Sequence, residues 1–319
     1  TIIYLYPIFM KAEEQIFKSH DDFELNTYKW KCDSPKAIVH IIHGMGEHAQ
    51  RYDHYANWLN KQNILVVSSD LRGHGKTAGN IENIGFFGPE NGWQLVVKDI
   101  VSISEHHKKT NPNLPFILLG HSMGSFIART IAIDYPLTAD GFIFSATAGH
   151  PGLLGIVGEK LATLNGKIFG KKNKSKLLDF LAFGDFNKKI KNKKTKKDWL
   201  TRDPVIIEKY MNDPYTMQIF SAQFFKDLTG ALLRVNDSQN IKKMKNDTPY
   251  LFFAGDMDPV GKYGKGVKEV VKKFKDANFS HVTAKYFEGG RHEMLNEINK
   301  EEVYKYILKW IEKTYQIDS

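Results

Sequence analysis

Four stretches of strand length are almost wholly apolar: 37–42 (AIVHII), 64–69 (ILVVSS), 116–119 (FILL) and 141–145 (GFIFS). Between them the apolar residues recur at helical spacing. Tyr52, Tyr55, Ala56 and Leu59 mark one amphipathic helix, and Trp93, Val96, Val97, Ile100, Val101 and Ser104 a second. A third helix is expected from about Met123 to Tyr135, stopped by Pro136. Apolar strands alternating with amphipathic helices predict a mostly parallel sheet covered on both faces. Residues 24–31 (ELNTYKWK) alternate polar and apolar, which predicts a half-exposed antiparallel edge strand, with Cys32 at its end.

The rhythm stops near Gly149 and resumes with an apolar strand at 250–254, a helix near 262–277, a strand near 282–286 and a helix near 297–315. Residues 150–245 carry helical patterns without a clear buried strand, and are expected to form a helical cap inserted into the sheet domain. The predicted organisation is an N-terminal extension at 1–10, a core in two parts at 11–149 and 246–319, and the cap at 150–245. The extension (TIIYLYPIFM) has no basic leader, and Met10 reads as a natural start. No run reaches the roughly 20 apolar residues of a transmembrane helix. A single cysteine excludes an intrachain disulfide and fits a reducing, cytoplasmic setting.

One motif carries chemistry. Gly120-His121-Ser122-Met123-Gly124 fits G-x-S-x-G between an apolar strand and a helix, the context in which this motif presents a nucleophilic serine. The glycines allow a sharp turn with close backbone approach. Serine needs a base, and the chain order of serine, acid, histidine is met downstream. Asp258 follows the strand 250–254, and His292 follows the strand 282–286. Both therefore belong to the sheet edge that presents Ser122, where ligands bind in open α/β sheets. Asp256 competes with Asp258 for the acid role or braces the same loop. His43-Gly44-Met45-Gly46 follows the first buried strand and supplies a loop for the oxyanion hole, whose N–H donors are expected to be Met45 and Met123. His43, His48 and His74 are expected to brace their loops.

These pieces together resemble the monoacylglycerol lipase and lysophospholipase family of α/β hydrolases. The resemblance rests on HGMGEHAQRYDHYA (43–56), DLRGHGKTAG (70–79), GHSMGS (120–125), GDMDPVG (255–261) and GGRHEMLNE (289–297). It implies the α/β-hydrolase fold and hydrolysis of carboxylic esters of single acyl chains, without metal or organic cofactor. The family overlaps with a group labelled serine aminopeptidases. Alternatives are a carboxylesterase or thioesterase for short soluble acyl groups, and a silent lipid-binding protein of the same fold.

Charge then singles out the expected cap. Residues 160–197 hold thirteen lysines against Asp179 and Asp185, a local balance of +11 where the whole chain carries +9. No nucleic-acid recognition motif appears, which argues against nucleic acid. The expectations are a solvated surface or peripheral contact with anionic membrane. Apolar residues thread through the same segment, and Leu153, Ile156, Leu177 and Leu181 are candidates to bind an acyl chain.

Overall fold

The computed structural model describes residues 11–317; the expected extension at 1–10 lies outside them. In chain order the elements are β1 (Glu13–Lys18), β2 (Glu24–Trp30), β3 (Ala37–Ile42), α1 (Asp53–Asn60), β4 (Ile64–Ser69), α2 (Gly92–Thr110), β5 (Phe116–His121), α3 (Met123–Asp134) and β6 (Gly141–Ser145). Then follow α4 (Gly152–Phe169), α5 (Lys176–Phe183), α6 (Pro204–Asn212), α7 (Ala222–Val235), α8 (Ser238–Ile241), β7 (Tyr250–Gly255), α9 (Lys265–Asp276), β8 (Val282–Phe287) and α10 (Lys300–Tyr315). One sheet has the order β1-β2-β4-β3-β5-β6-β7-β8, antiparallel at β1–β2 and β2–β4 and parallel elsewhere.

Every residue of β3, β4, β5, β6 and β7 is buried. Successive side chains feed two opposite cores, as the period of a strand requires. Ile38, Leu118 and Phe252 join one core with Val96, Ile127 and Phe274 from α2, α3 and α9. Val39, Leu119 and Phe253 join the other, with Leu59 of α1 and Ile307 and Ile311 of α10. Two details differ from the sequence expectation. β2 is not the edge strand, because β1 pairs outside it in register Glu13↔Lys29 to Lys18↔Glu24. Cys32 lies beyond β2, in irregular chain, and is partly buried.

Between β6 and β7 the chain is helical. α4 packs on α7, and α7 packs on α2 and α3. Phe224 of α7 meets Phe87 with ring centroids 4.8 Å apart and Phe220 at 4.4 Å. Ser221 ties the start of α7 to the core, its N–H and Oγ both donating to the Gly85 carbonyl at 3.0 and 2.7 Å.

Arg129 of α3 binds this segment from beneath. Its fully buried guanidinium donates to the carbonyls of Ala148 (3.1 Å) and Val235 (2.6 Å) and to Asn236 Oδ1 (3.0 Å). Carbonyl dipoles rather than a carboxylate solvate this charge. Arg129→Ala leaves those acceptors unpaired in a dry site, so urea unfolding should show a loss on the order of 3 kcal/mol or more.

Candidate active site

Strand β5 runs into Ser122, and α3 begins at Met123. Ser122 takes φ 52° and ψ −118°, outside the regions favoured by a residue with a β-carbon. The surroundings impose it. The Ser122 N–H donates to the Ser145 carbonyl of β6 (2.9 Å), and its own carbonyl accepts from the Ser125 N–H (2.9 Å) and Oγ (2.6 Å). The turn is possible because of Gly124, where a β-carbon would lie 2.1 Å from the Ile42 carbonyl oxygen and 2.6 Å from that of His43. Ser122 is thus held at the positive end of a 12-residue helix, beside the free N–H of its first turn.

His292 and Asp258 come together on neighbouring loops. His292 Nδ1 lies 3.0 Å from Asp258 Oδ1, and both residues are buried. A carboxylate only accepts, so the imidazole proton sits on Nδ1, and Nε2 carries the lone pair. Burial alone would depress the imidazole. The Asp258 carboxylate and its hydrogen bond outweigh burial, with help from Glu293 and Glu47, and hold it above its ordinary 6.5. Asp256 is turned to a different task. Its Oδ1 accepts the Gly289 N–H at 2.8 Å and braces the histidine loop. The two loops touch at Gly255, where a β-carbon would lie 2.0 Å from the Gly290 carbonyl oxygen.

The loop after β3 is held by its own residues. His43 Nδ1 donates to the Gly44 carbonyl (2.8 Å), and its Nε2 accepts the Leu71 N–H (3.0 Å). Glu47 Oε1 accepts the Gly44 N–H at 2.5 Å. His48 Nε2 pairs with Asp213 (2.7 Å), and His74 Nδ1 with the Arg72 carbonyl (3.0 Å). All three histidines brace loops.

Ser122, His292, Met45 and Met123 share the wall of one cavity of about 510 Å³. Its other walls include Val157 and Leu161 of α4, Leu178 and Leu181 of α5, and Phe225 and Leu228 of α7. Of the four expected acyl contacts, only Leu181 lines it. Leu153, Ile156 and Leu177 point outward instead, with Leu153 80% exposed. Helices α4 and α5 are apolar on most sides, so periodicity could not choose the inward face.

The chain matches the family described as Serine aminopeptidase, S33 over residues 33–299. It belongs to that family. Among relatives, it is 28% identical to the monoglyceride lipase of Mus musculus over 197 residues, 60% of each chain, so it spans about 60% of that protein's length. It is 26% identical to the monoacylglycerol lipase of Mycolicibacterium smegmatis over 291 residues, 88% of this chain and 90% of that one. Among solved structures, a thermostable carboxyl esterase from Bacillus coagulans, in complex with glycerol, superposes with a TM-score of 0.88 at 27% identity, covering 96% of this chain and 99% of that one. The fold is that of the α/β hydrolases, as expected from the motif.

Within this S33 frame the sequence pattern missed several residues around His292. Trp199 packs against its ring with centroids 5.1 Å apart, and the Trp199 carbonyl accepts the His292 N–H at 3.3 Å. His121 lies on another side, centroid 4.8 Å away. The one advance signal for His121 was its place next to Ser122. Trp199 had none, because 93 residues of chain separate it from His292.

Burial has a thermodynamic consequence for the other histidines. It pushes His40, His43 and His74 down to about 3 and His54 and His121 to about 4. The unfolded chain takes up these protons below about pH 6.5, while the folded chain refuses them until about pH 4 or lower. Stability contributed by the neutral rings is therefore present above pH 6.5 and lost as pH falls towards 4. Raised His292 acts in the opposite sense. Thermal melts from pH 8 to 4 should show a midpoint that declines steadily below pH 6.5; a flat midpoint down to pH 5 would contradict neutral buried histidines.

Proposed function

We propose that the chain is a serine hydrolase that cleaves carboxylic esters of single acyl chains, of the monoacylglycerol or lysophospholipid type, through an acyl-enzyme on Ser122. The observation that carries this reading is the presence of Ser122 on its strained turn and His292, oriented by Asp258, on the wall of one largely apolar cavity. His292 Nε2 removes the Ser122 proton as Oγ attacks the ester carbonyl. The backbone N–H groups of Met45 and Met123 receive the oxyanion. His292 returns the proton to the departing alcohol, then activates a water that releases the fatty acid. Asp258 keeps the imidazole in the productive tautomer and stabilises its charged form. The similarity to the mouse and mycolicibacterial lipases and to the carboxyl esterase supports the ester class.

Residues 150–245 are read here as a cap over a core formed by 11–149 and 246–319. The cap also supplies a membrane-facing surface. Leu153, Ile168, Phe169, Leu177 and Phe180 are each more than 60% exposed, and Lys160, Lys167, Lys171, Lys172 and Lys176 lie among them. Among the described residues, no helix is long and apolar enough to cross a membrane. Exposed apolar side chains flanked by lysines fit peripheral docking on anionic lipid, where each lysine contributes about 1 kcal/mol.

Four outcomes test these readings. Ser122→Ala should lower turnover by about six orders of magnitude and abolish labelling by a fluorophosphonate. On esters from two to eighteen carbons, longer glycerol and phospholipid monoesters should be preferred; a preference for two- to four-carbon soluble esters would replace the lipase reading by a small-ester one. The acid limb of kcat/KM should lie above pH 6.5, since raised His292 must lose its proton to act. Finally, sedimentation with phosphatidylglycerol vesicles should retain Ser122→Ala as well as the wild type, and weaken as salt rises.

A further inference from the structure

A buried three-residue bridge reaches the cavity wall, which includes Glu47 and Glu293. Arg51 Nη1 donates to Glu47 Oε2 at 2.7 Å and to Glu293 Oε1 at 2.8 Å, and Arg51 Nη2 donates to Glu293 Oε2 at 2.7 Å. The Arg51 side chain is only 10% exposed, and the two glutamates less still. The remaining carboxylate valences are filled. Glu47 Oε1 accepts from the Gly44 N–H and from Tyr52 Oη (2.9 Å), and Glu293 Oε2 accepts from Asn296 Nδ2 (2.9 Å). The Tyr210 ring covers the guanidinium, 4.8 Å from centroid to Cζ.

The position of this bridge matters more than its strength. Glu47 holds the N–H of Gly44, and His43 holds the carbonyl of the same residue. The peptide between Gly44 and Met45 is planar and trans, so pinning the Gly44 carbonyl aims the Met45 N–H to the opposite side. Glu293, at the other end, is the residue after His292. Burial opposes ionisation of both glutamates, but the shared guanidinium outweighs it and holds each below the ordinary carboxylate range. Two carboxylates on one cation leave a net negative charge near His292. That charge is faced by His121 at the end of β5, by Lys197 from the segment before α6, and by Asp258 across the imidazole.

We propose that Arg51 is a positioning residue: by gripping Glu47 and Glu293 with one guanidinium, it sets the distance and angle between the oxyanion loop and the loop of the general base. The proposal rests on the serine-hydrolase reading. The planar fork reaches both carboxylates at once, which a lysine ammonium, a compact point charge, cannot reproduce with the same geometry. A slip between the two loops of the kind that follows costs about a hundredfold in rate.

The test uses the full chain carrying Arg51→Lys, Arg51→Gln or Glu293→Gln, with a short soluble ester, a fluorophosphonate and a thermal melt for each. Arg51→Lys keeps the charge and should fold; it should lower kcat and the labelling rate together by about ten- to a hundredfold with KM within about twofold. Arg51→Gln should be slower still, so that lysine gives partial rescue. Glu293→Gln removes one of the carboxylates that raise His292, so its acid limb in kcat/KM should move to lower pH. Wild-type kcat in a folded Arg51→Lys, a rise in KM alone, or wild-type kcat in a folded Glu293→Gln would each overturn the proposal while leaving the hydrolase reading intact. A wild-type chain that neither turns over nor labels would overturn the hydrolase reading, and this proposal with it.

Discussion

Two contacts of backbone on backbone, each too close for a β-carbon, assemble the site: Gly124 against the Ile42 carbonyl, and Gly255 against the Gly290 carbonyl. The first contact seats the turn that carries Ser122 on the end of β3, so the serine and the loop of Met45 occupy one small region. The second brings the loop of Asp258 against the loop of His292. The chemistry proposed for Ser122, Asp258 and His292 depends on these approaches, because a displacement of even 1 Å between reacting groups costs about two orders of magnitude in rate. The strained conformation of Ser122 persists because β6 and α3 hold both of its backbone groups.

Electrostatics complete what packing begins. The protein buries several ionisable groups in and beneath the site, and each is satisfied in a different way. Asp258 faces an imidazole, Glu47 and Glu293 share a guanidinium, and Arg129 is solvated by carbonyls. His43 and His74 stay neutral and act as hydrogen-bonding struts. Only His292, among the histidines with a resolved shift, is pushed towards its charged form. The contrast separates the ring suited to proton transfer from those suited to holding loops.

Much of this was legible from the amino-acid order. The strands β3, β4, β5, β6 and β7 are buried on both faces, so their apolar runs stand out. Ser122 and Asp258 follow such strands, and His292 follows the partly buried β8, parallel to β7, which places all three at one edge of the sheet. β1 escaped notice because EEQIFK is mostly polar and mostly exposed, as an outermost strand can be. The inward side of α4 and α5 was hidden for the opposite reason: their outward side is apolar too. Arg51 and Glu293 stand 242 residues apart, and no local pattern announces a contact at that separation.

The helical segment between β6 and β7 does more than roof the cavity. The His292 and Glu293 N–H groups donate to the carbonyls of Trp199 and Leu200, which belong to that segment. Diversification of such an insertion is therefore constrained from below. A lineage that replaced it to accept a new substrate would have to resupply two backbone acceptors in the same place. The constraint is tightest at Trp199 and Leu200, the residues ahead of α6 whose carbonyls receive those N–H groups.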